Sequence, residues 1–225
     1  AGGLAAEQAL TRWARQSRFA GSKDRAAVRD HVFDVLRQKR TAAHYGGSEA
    51  GRALMIGMLH GQKADLDALF TGEGHAPMPL SEEERRFPQT PEDRATNLNL
   101  PDWLLPLFDT ALGEKADAAA LALQERGPIC LRVNTARIEV AAAQELLAED
   151  GVQTRANPLT AAALTVTEGP RRIRNSRAFI DGYVELQDAA SQAVVAGLPL
   201  GGRVLDYCAG GGGKALALAM DPSRQ

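Results

Sequence analysis

The 225-residue sequence has few residues that could cross-link the chain, bind a metal or anchor it in a membrane. Two cysteines, Cys130 and Cys208, and four scattered histidines provide neither a disulfide framework nor the ligand spacing of a metal site. No run of about 18 apolar residues is present, and the alanine-rich start lacks the basic lead and apolar stretch of a signal peptide. We therefore expect no metal, no membrane span and a cytoplasmic location.

Lysine is also scarce, since the 26 basic residues comprise five lysines and 21 arginines. The net charge of −2 argues against a uniformly basic, nucleic-acid-binding surface. However, residues 1–45 carry nine basic and four acidic side chains, whereas residues 46–126 carry seven and fourteen. The planar guanidinium of arginine can donate two parallel hydrogen bonds to phosphate oxygens, which the ammonium of lysine cannot do. Two groups could make such contacts: Arg12, Arg15, Arg18, Arg25 and Arg29, and the group Arg171, Arg172, Arg174 and Arg177.

The most informative segment of the chain runs from Val204 to Lys214 and reads V-L-D-Y-C-A-G-G-G-G-K. The pattern predicts an apolar strand that delivers Asp206 into a glycine loop, which then opens a helix. Glycines let backbone N–H groups approach a ligand, and a helix start adds unpaired donors. Asp206 could accept a hydrogen bond from an amine or a ribose hydroxyl. The segment therefore predicts a site for a nucleotide-like cofactor.

Two known phosphate motifs fit this segment poorly. A P-loop requires glycine where Cys208 stands and Ser or Thr where Ala215 stands. A dinucleotide-binding fingerprint fits loosely through Gly210, Gly212 and Ala215, but its ribose-binding acid would lie about 20 residues further on, past the last residue of the sequence. The dinucleotide interpretation remains an alternative.

The same segment resembles the cofactor loop of the Sun family of RNA cytosine-5 methyltransferases, written D-x-C-A-A-P-G-G-K-T. Glycine stands at 210 and 211 and alanine at 215, where the family has Ala, Pro and Thr. Three upstream segments, residues 182–192, 131–134 and 19–30, are similar to other family motifs, so the resemblance extends over nearly the whole chain. The matching loop residues are Asp206, Cys208, Ala209, Gly212, Gly213 and Lys214.

The resemblance implies S-adenosyl-L-methionine as cofactor and ribosomal RNA, specifically the 16S small-subunit RNA, as substrate. The family's reaction proceeds through a cysteine thiolate that adds to cytosine C6, and its cysteines lie on later strands of the catalytic sheet. We expect those strands to be absent from this chain, which would then be inactive alone, so no catalytic residue is assigned. The implied cofactor-binding residues are Asp206, Cys208, Ala209, Gly210, Gly211, Gly212, Gly213 and Lys214.

Sequence periodicity predicts a multi-domain fold in three parts. Residues 1–95 read as an all-α bundle and linker, with Ser22 as a helix N-cap and a capping box at 81–84 before a short helix. The resemblance of residues 19–30 implies that this bundle is a NusB-like RNA-binding domain. Residues 96–180 alternate between helical and strand patterns, which predicts a small α+β domain that is RNA-recognition-like by resemblance. By the same resemblance, residues 181–225 would begin an α/β, Rossmann-like methyltransferase domain and leave it incomplete.

Two functions from other classes remain open at this stage. A non-catalytic RNA-binding or antitermination module would also carry a basic helical start, and an NAD-dependent oxidoreductase would use the loose dinucleotide fingerprint. For the basic groups, a solvated face and RNA contact are equally favoured in residues 12–29, whereas RNA contact is favoured for the cluster at 171–177. We expect a monomer that binds ribosomal RNA.

Overall fold

The computed structural model describes residues 3–223 and separates the chain into two compact units, Ala1–Arg126 and Gly127–Gln225. This division lies between the predicted domain boundaries at residues 95 and 180, so the three-part scheme stays a prediction. No helix within residues 3–223 has the length and apolar character needed to cross a membrane.

Unit 1 consists of helices, short turns and loops. A 3-10 turn at Gly113–Lys115 joins its last two helices. The helices are α1 (Ala6–Gln16), α2 (Ser22–Arg37), α3 (Lys39–Gly46), α4 (Gly51–Gly61), α5 (Leu66–Leu69), α6 (Arg94–Asn97), α7 (Leu105–Leu112) and α8 (Ala116–Leu123).

The closest helix pair of unit 1 is α3 and α4, and two glycines allow it. A Cβ atom added at Gly57 would lie 1.9 Å from the Ala42 carbonyl oxygen, and one at Gly46 would lie 1.9 Å from that of Ala53. The apolar side chains of the unit pack in three small clusters, centred on Met58, Ile56 and Leu98, and Leu59 packs against the first two. The predicted helical character is confirmed, while the NusB-like assignment remains a proposal.

Of the two capping signals predicted in unit 1, the N-cap lies one residue away and the capping box forms without a helix after it. Helix α2 is capped by Gly21, whose N–H donates to Asp24 Oδ2 at 2.9 Å, so the prediction of Ser22 as N-cap is wrong by one residue. The capping-box bonds between Ser81 and Glu84 form in both directions, at 2.9 and 3.2 Å. They close only a turn, because Pro88 and Pro91 follow within a few residues and prevent a longer helix.

Unit 2 is built on a small four-stranded antiparallel sheet with strand order β2-β3-β1-β4. A 3-10 helix spans Pro170–Asn175. The strands are β1 (Cys130–Val133), β2 (Gln153–Ala156), β3 (Ala163–Glu168) and β4 (Val184–Leu186), and the helices are α9 (Val140–Glu149), α10 (Arg177–Ile180), α11 (Ala189–Ala196) and α12 (Gly213–Leu218).

The core of unit 2 lies on one face of this sheet. Successive strand residues point to opposite faces, and Leu131 and Val133 of β1 pack on Leu147 of α9 with no exposed surface. Cys130 lies on the opposite face, beside Ala189 of α11. The mixed α+β character predicted for residues 96–180 is therefore confirmed for the part of that range that lies in unit 2, residues 127–180.

The strand predicted at Val204–Asp206 is absent from the structure. These residues have no regular secondary structure and join no sheet, and the side chain of Leu205 is 82% exposed. A strand needs a neighbour to pair its backbone N–H and C=O groups, and no strand within residues 3–223 lies beside this segment. The helix predicted after the glycines is present as α12.

Candidate cofactor loop and basic cluster

The glycine loop turns on two residues that have left-handed backbone conformations. Gly210 has φ +55° and Gly212 has φ +81°, values that side-chain-bearing residues rarely adopt. The Gly212 N–H donates to the Ala209 carbonyl at 2.9 Å, and the Gly212 carbonyl accepts from Leu216 at 2.8 Å. The loop is thus a defined turn that leads directly into α12, as its sequence predicts.

The backbone of the loop faces open space. A Cβ atom added at Gly210, Gly211 or Gly212 would have no atom of residues 3–223 outside its immediate neighbours within 4 Å. Lys214 is exposed at the start of α12. A ligand could therefore approach the peptide groups of these glycines directly.

Asp206 gives this open loop a polar group that lacks a partner. Its Oδ2 atom is buried, and among the described residues it has no hydrogen-bond partner. Burying an unpaired carboxylate oxygen is costly, so a bound ligand that donates a hydrogen bond there would remove that cost. A ribose hydroxyl or a protonated amine fits this requirement, and both occur in S-adenosylmethionine.

The two cysteines differ in their accessibility. Cys208 lies exposed in the loop, and Cys130 is buried in β1, with both thiols free. In the part of the chain that is described, no group of three or more His, Cys, Asp or Glu side chains is arranged to hold a metal ion.

Gln187 was not assigned to the site from the sequence, although the structure places it against the loop. Its Nε2 atom lies 3.6 Å from where a Cβ atom of Gly213 would stand. The residue comes directly after β4, inside the segment 182–192 that resembles a family motif. The resemblance was the only signal that could have drawn attention to it.

The four arginines of the 171–177 cluster are exposed but have different partners. Arg177 pairs with Glu149, and its Nε lies 3.8 Å from Asp150 Oδ1. Arg172 folds over Gly151, where its Nη1 would lie 2.0 Å from an added Cβ. For Arg171 and Arg174, no acidic side chain of residues 3–223 lies within ion-pair distance.

Two arginines of the first basic group also have contacts within unit 1. Arg29 pairs with Glu7 at 3.0 Å, and Arg25 donates to the Ser17 carbonyl at 3.3 Å. These contacts partly neutralise or occupy two of the five guanidinium groups.

A family model described as "Methyltr_RsmF/B-like, ferredoxin-like domain" matches residues 100–172. Ribosomal RNA small subunit methyltransferase B of Xanthomonas campestris pv. campestris is 34% identical over 127 residues, which are 55% of this chain and 29% of that protein. The protein of the same name from Vibrio cholerae serotype O1 is 34% identical over 116 residues, covering 51% of this chain and 26% of its own length. The chain thus spans less than a third of the length of these relatives.

Among solved structures, the crystal structure of PH0851 has a similar fold. The match has a TM-score of 0.57 and 17% sequence identity, and covers 95% of this chain and 56% of the other. The resemblance predicted from the sequence is confirmed by the sequence comparisons: residues 100–172 match the ferredoxin-like domain of the RsmF/B-like methyltransferases, and about half of the chain is similar to ribosomal RNA small subunit methyltransferase B of the Sun family.

Proposed function

We propose that this chain belongs to an S-adenosylmethionine-dependent RNA methyltransferase that modifies C5 of a cytosine in small-subunit ribosomal RNA. Support comes from relatives named ribosomal RNA small subunit methyltransferase B, at 34% identity. The motifs of the Sun family specify the cytosine-5 reaction and the cofactor. The proposal gives the residues of this chain roles in binding and assigns none of them as the catalytic cysteine.

The buried, unpartnered Oδ2 of Asp206 beside an open glycine loop is the observation that carries this proposal. Asp206 would accept a hydrogen bond from a hydroxyl or amine of the cofactor. The glycines at 210–212 would let the cofactor approach the backbone, and Cys208, Ala209, Gly213 and Lys214 would complete the loop. The cofactor, when bound, supplies the methyl group that is transferred.

The basic cluster would hold the RNA. Arg171 and Arg174, exposed and without acidic partners among the described residues, would contact phosphates, with Arg172 and Arg177 beside them. The scheme of a NusB-like domain at 1–95, a small RNA-recognition-like domain at 96–180 and the start of the methyltransferase domain at 181–225 belongs to the same proposal. So do a monomeric state and a cytoplasmic location.

Calorimetric titration of the chain with S-adenosylmethionine tests the role of Asp206. Replacing Asp206→Asn preserves size but removes the charge, and a hydrogen bond to a charged group is worth about 1.5–3 kcal/mol. We expect the affinity to fall by about tenfold to a hundredfold. Asp181→Asn is the matched control, because Asp181 is an exposed carboxylate of the same unit. Equal affinities for the two variants would contradict the assignment.

Parallel titrations with NAD and with RNA separate the alternatives. Binding of NAD without S-adenosylmethionine would favour the oxidoreductase, and binding of RNA alone would favour the non-catalytic module. The proposal expects S-adenosylmethionine and RNA to bind and NAD not to bind.

A further inference from the structure

A single buried arginine connects the sheet of unit 2 to both ends of the helix that follows the glycine loop. Arg132 lies in the middle of β1, and its side chain is only 4% exposed. It lies between Leu131 and Val133, which point into the core, so its own side chain points to the opposite face, where α11 packs. A charged side chain so deeply buried requires partners for its guanidinium.

The guanidinium of Arg132 has three partners: one on β4, one directly after β4, and one after α12. Its Nη2 donates to Glu185 Oε2 at 2.5 Å, and Glu185 is its direct cross-strand neighbour on β4. Its Nε donates to Gln187 Oε1 at 2.7 Å. Its Nη1 lies 2.8 Å from Met220 Sδ, just after α12 ends.

Gln187 carries this connection to the glycine loop. With its Oε1 bound to Arg132, its amide nitrogen lies beside Gly213, the first residue of α12. The backbone of Gln187 is also fixed, because its N–H donates to Cys130 at 3.2 Å and its carbonyl accepts from Gln192 Nε2 at 2.9 Å. Gln187 of the Arg132 network thus lies beside Gly213, the first residue of α12, and Met220 of the same network lies two residues after the last residue of α12.

The residues that lead into the loop pack little, although α12 also contacts α11 and the Gly201 N–H donates to Asp221 Oδ2 at 3.0 Å. The apolar residues that lead into it, Leu205 and Tyr207, are 82% and 89% exposed. Gly210 and Gly212 have open space around them and add no packing. Ala217 is the one residue of α12 that is buried among those described.

We propose that Arg132 is a positioning residue, which fixes the glycine loop and α12 in the geometry that receives the cofactor, acting through Gln187 and Met220. The inference rests on the proposed function for the identity of the cofactor, but the geometry it asserts can be measured without one. Sheet and loop are thereby coupled: a displacement of β1 or β4 would move the cofactor site.

Amide hydrogen exchange, followed by mass spectrometry on the chain without cofactor, tests the positioning. In Arg132→Gln, the hydrogen-bonded amides of residues 216–220 should exchange at least tenfold faster, whereas those of α9 and β3 should keep their protection. Arg132→Lys should give a smaller increase, because one ammonium keeps the charge but cannot reach all three partners. Arg137→Gln is the control, since Arg137 contacts Asp181 and Tyr183 and not the loop.

Two results would overturn the proposal. One is unchanged exchange at residues 216–220 in Arg132→Gln, and the other is an equal rise in α9, which would mean that Arg132 only stabilises the unit as a whole. If Arg132→Gln does not fold, Gln187→Leu breaks the connection to Gly213 while leaving the Arg132–Glu185 pair intact, and the same two criteria apply.

Titration with S-adenosylmethionine adds the functional measurement. The Arg132→Gln variant should bind at least tenfold more weakly than Arg137→Gln. If the unsubstituted chain itself does not bind S-adenosylmethionine, the proposed function fails, whereas the exchange result still decides whether Arg132 positions the loop.

Discussion

The sheet region at residues 127–196 and the loop segment at residues 197–223 belong to one compact unit but are held in place differently. Leu131 and Leu164 in the sheet region have no exposed surface, whereas Leu205 and Tyr207 in the loop segment are almost fully exposed. The sheet region is determined by its own apolar core. The loop segment depends on glycine backbone geometry and on a few polar contacts to the sheet.

The largest expected effect is a difference in unfolding free energy between a substitution in the sheet region and one in the loop segment. Leu147→Ala removes a fully buried side chain from the core, and such a change costs about 2–5 kcal/mol of unfolding free energy. Leu205→Ala removes a side chain that is 82% exposed, and should change stability by no more than about 0.5 kcal/mol. Similar losses for the two variants would contradict the comparison.

Cys130 provides the probe for that measurement. Both tryptophans, Trp13 and Trp103, lie in unit 1 and do not report on unit 2. Cys130 is 4% exposed, so its thiol reacts with a labelling reagent mainly when unit 2 opens. With Cys208→Ser as background, the labelling rate against urea concentration gives the unfolding free energy of unit 2.

The next effect concerns the basic cluster of the sheet region. Replacing Arg171 and Arg174 by Gln should lower the slope of log K against log salt for single-stranded RNA by about 1.4, because each phosphate contact contributes about 0.7. Arg177→Gln should change the slope less, because Arg177 is already paired with Glu149. Titrations at several salt concentrations measure both. No change for the double variant would mean that Arg171 and Arg174 lie on a solvated face, and a larger change for Arg177→Gln would contradict the assignment of the phosphate contacts to Arg171 and Arg174.

The smallest effect concerns unit 1, which is held by exposed ion pairs in addition to its small apolar clusters. A hydrogen bond from Arg52 lowers the pKa of Glu84 from 4.5 to about 2. A carboxylate with a lowered pKa stabilises the folded state above its unfolded pKa, and this contribution is lost as pH falls from about 4.5 to about 2. Glu84→Gln should therefore flatten the pH dependence of the unfolding temperature in this window.

Fluorescence of Trp13 and Trp103 follows the unfolding of unit 1 in that experiment. Glu83→Gln is the control, because the neighbouring Glu83 side chain is exposed and has no ion pair within residues 3–223. If Glu84→Gln and Glu83→Gln changed the pH profile equally, the Arg52–Glu84 pair would not be its cause.

The sequence predicted those features that depend on local pattern. The helical spacing of unit 1, the strands around Leu131 and Leu164, and the turn of the glycine loop all follow from periodicity and glycine chemistry. The prediction of a strand at Val204–Asp206 was wrong, because a strand depends on a neighbouring strand that its own residues do not reveal. The role of Arg132 could not be predicted either, since its partners at 185, 187 and 220 are distant in sequence.

Titration of S-adenosylmethionine into Gly212→Val and Gly74→Val, by calorimetry, tests the central claim that residues 206–214 bind the cofactor. Both glycines have positive φ values, +81° and +57°, and open space around them, but Gly74 lies in unit 1. Valine is β-branched and rarely adopts such a backbone conformation, so the substitution strains the backbone at either position. The account predicts that Gly212→Val abolishes detectable binding while Gly74→Val binds as the unsubstituted chain does. Unchanged affinity in Gly212→Val would contradict it.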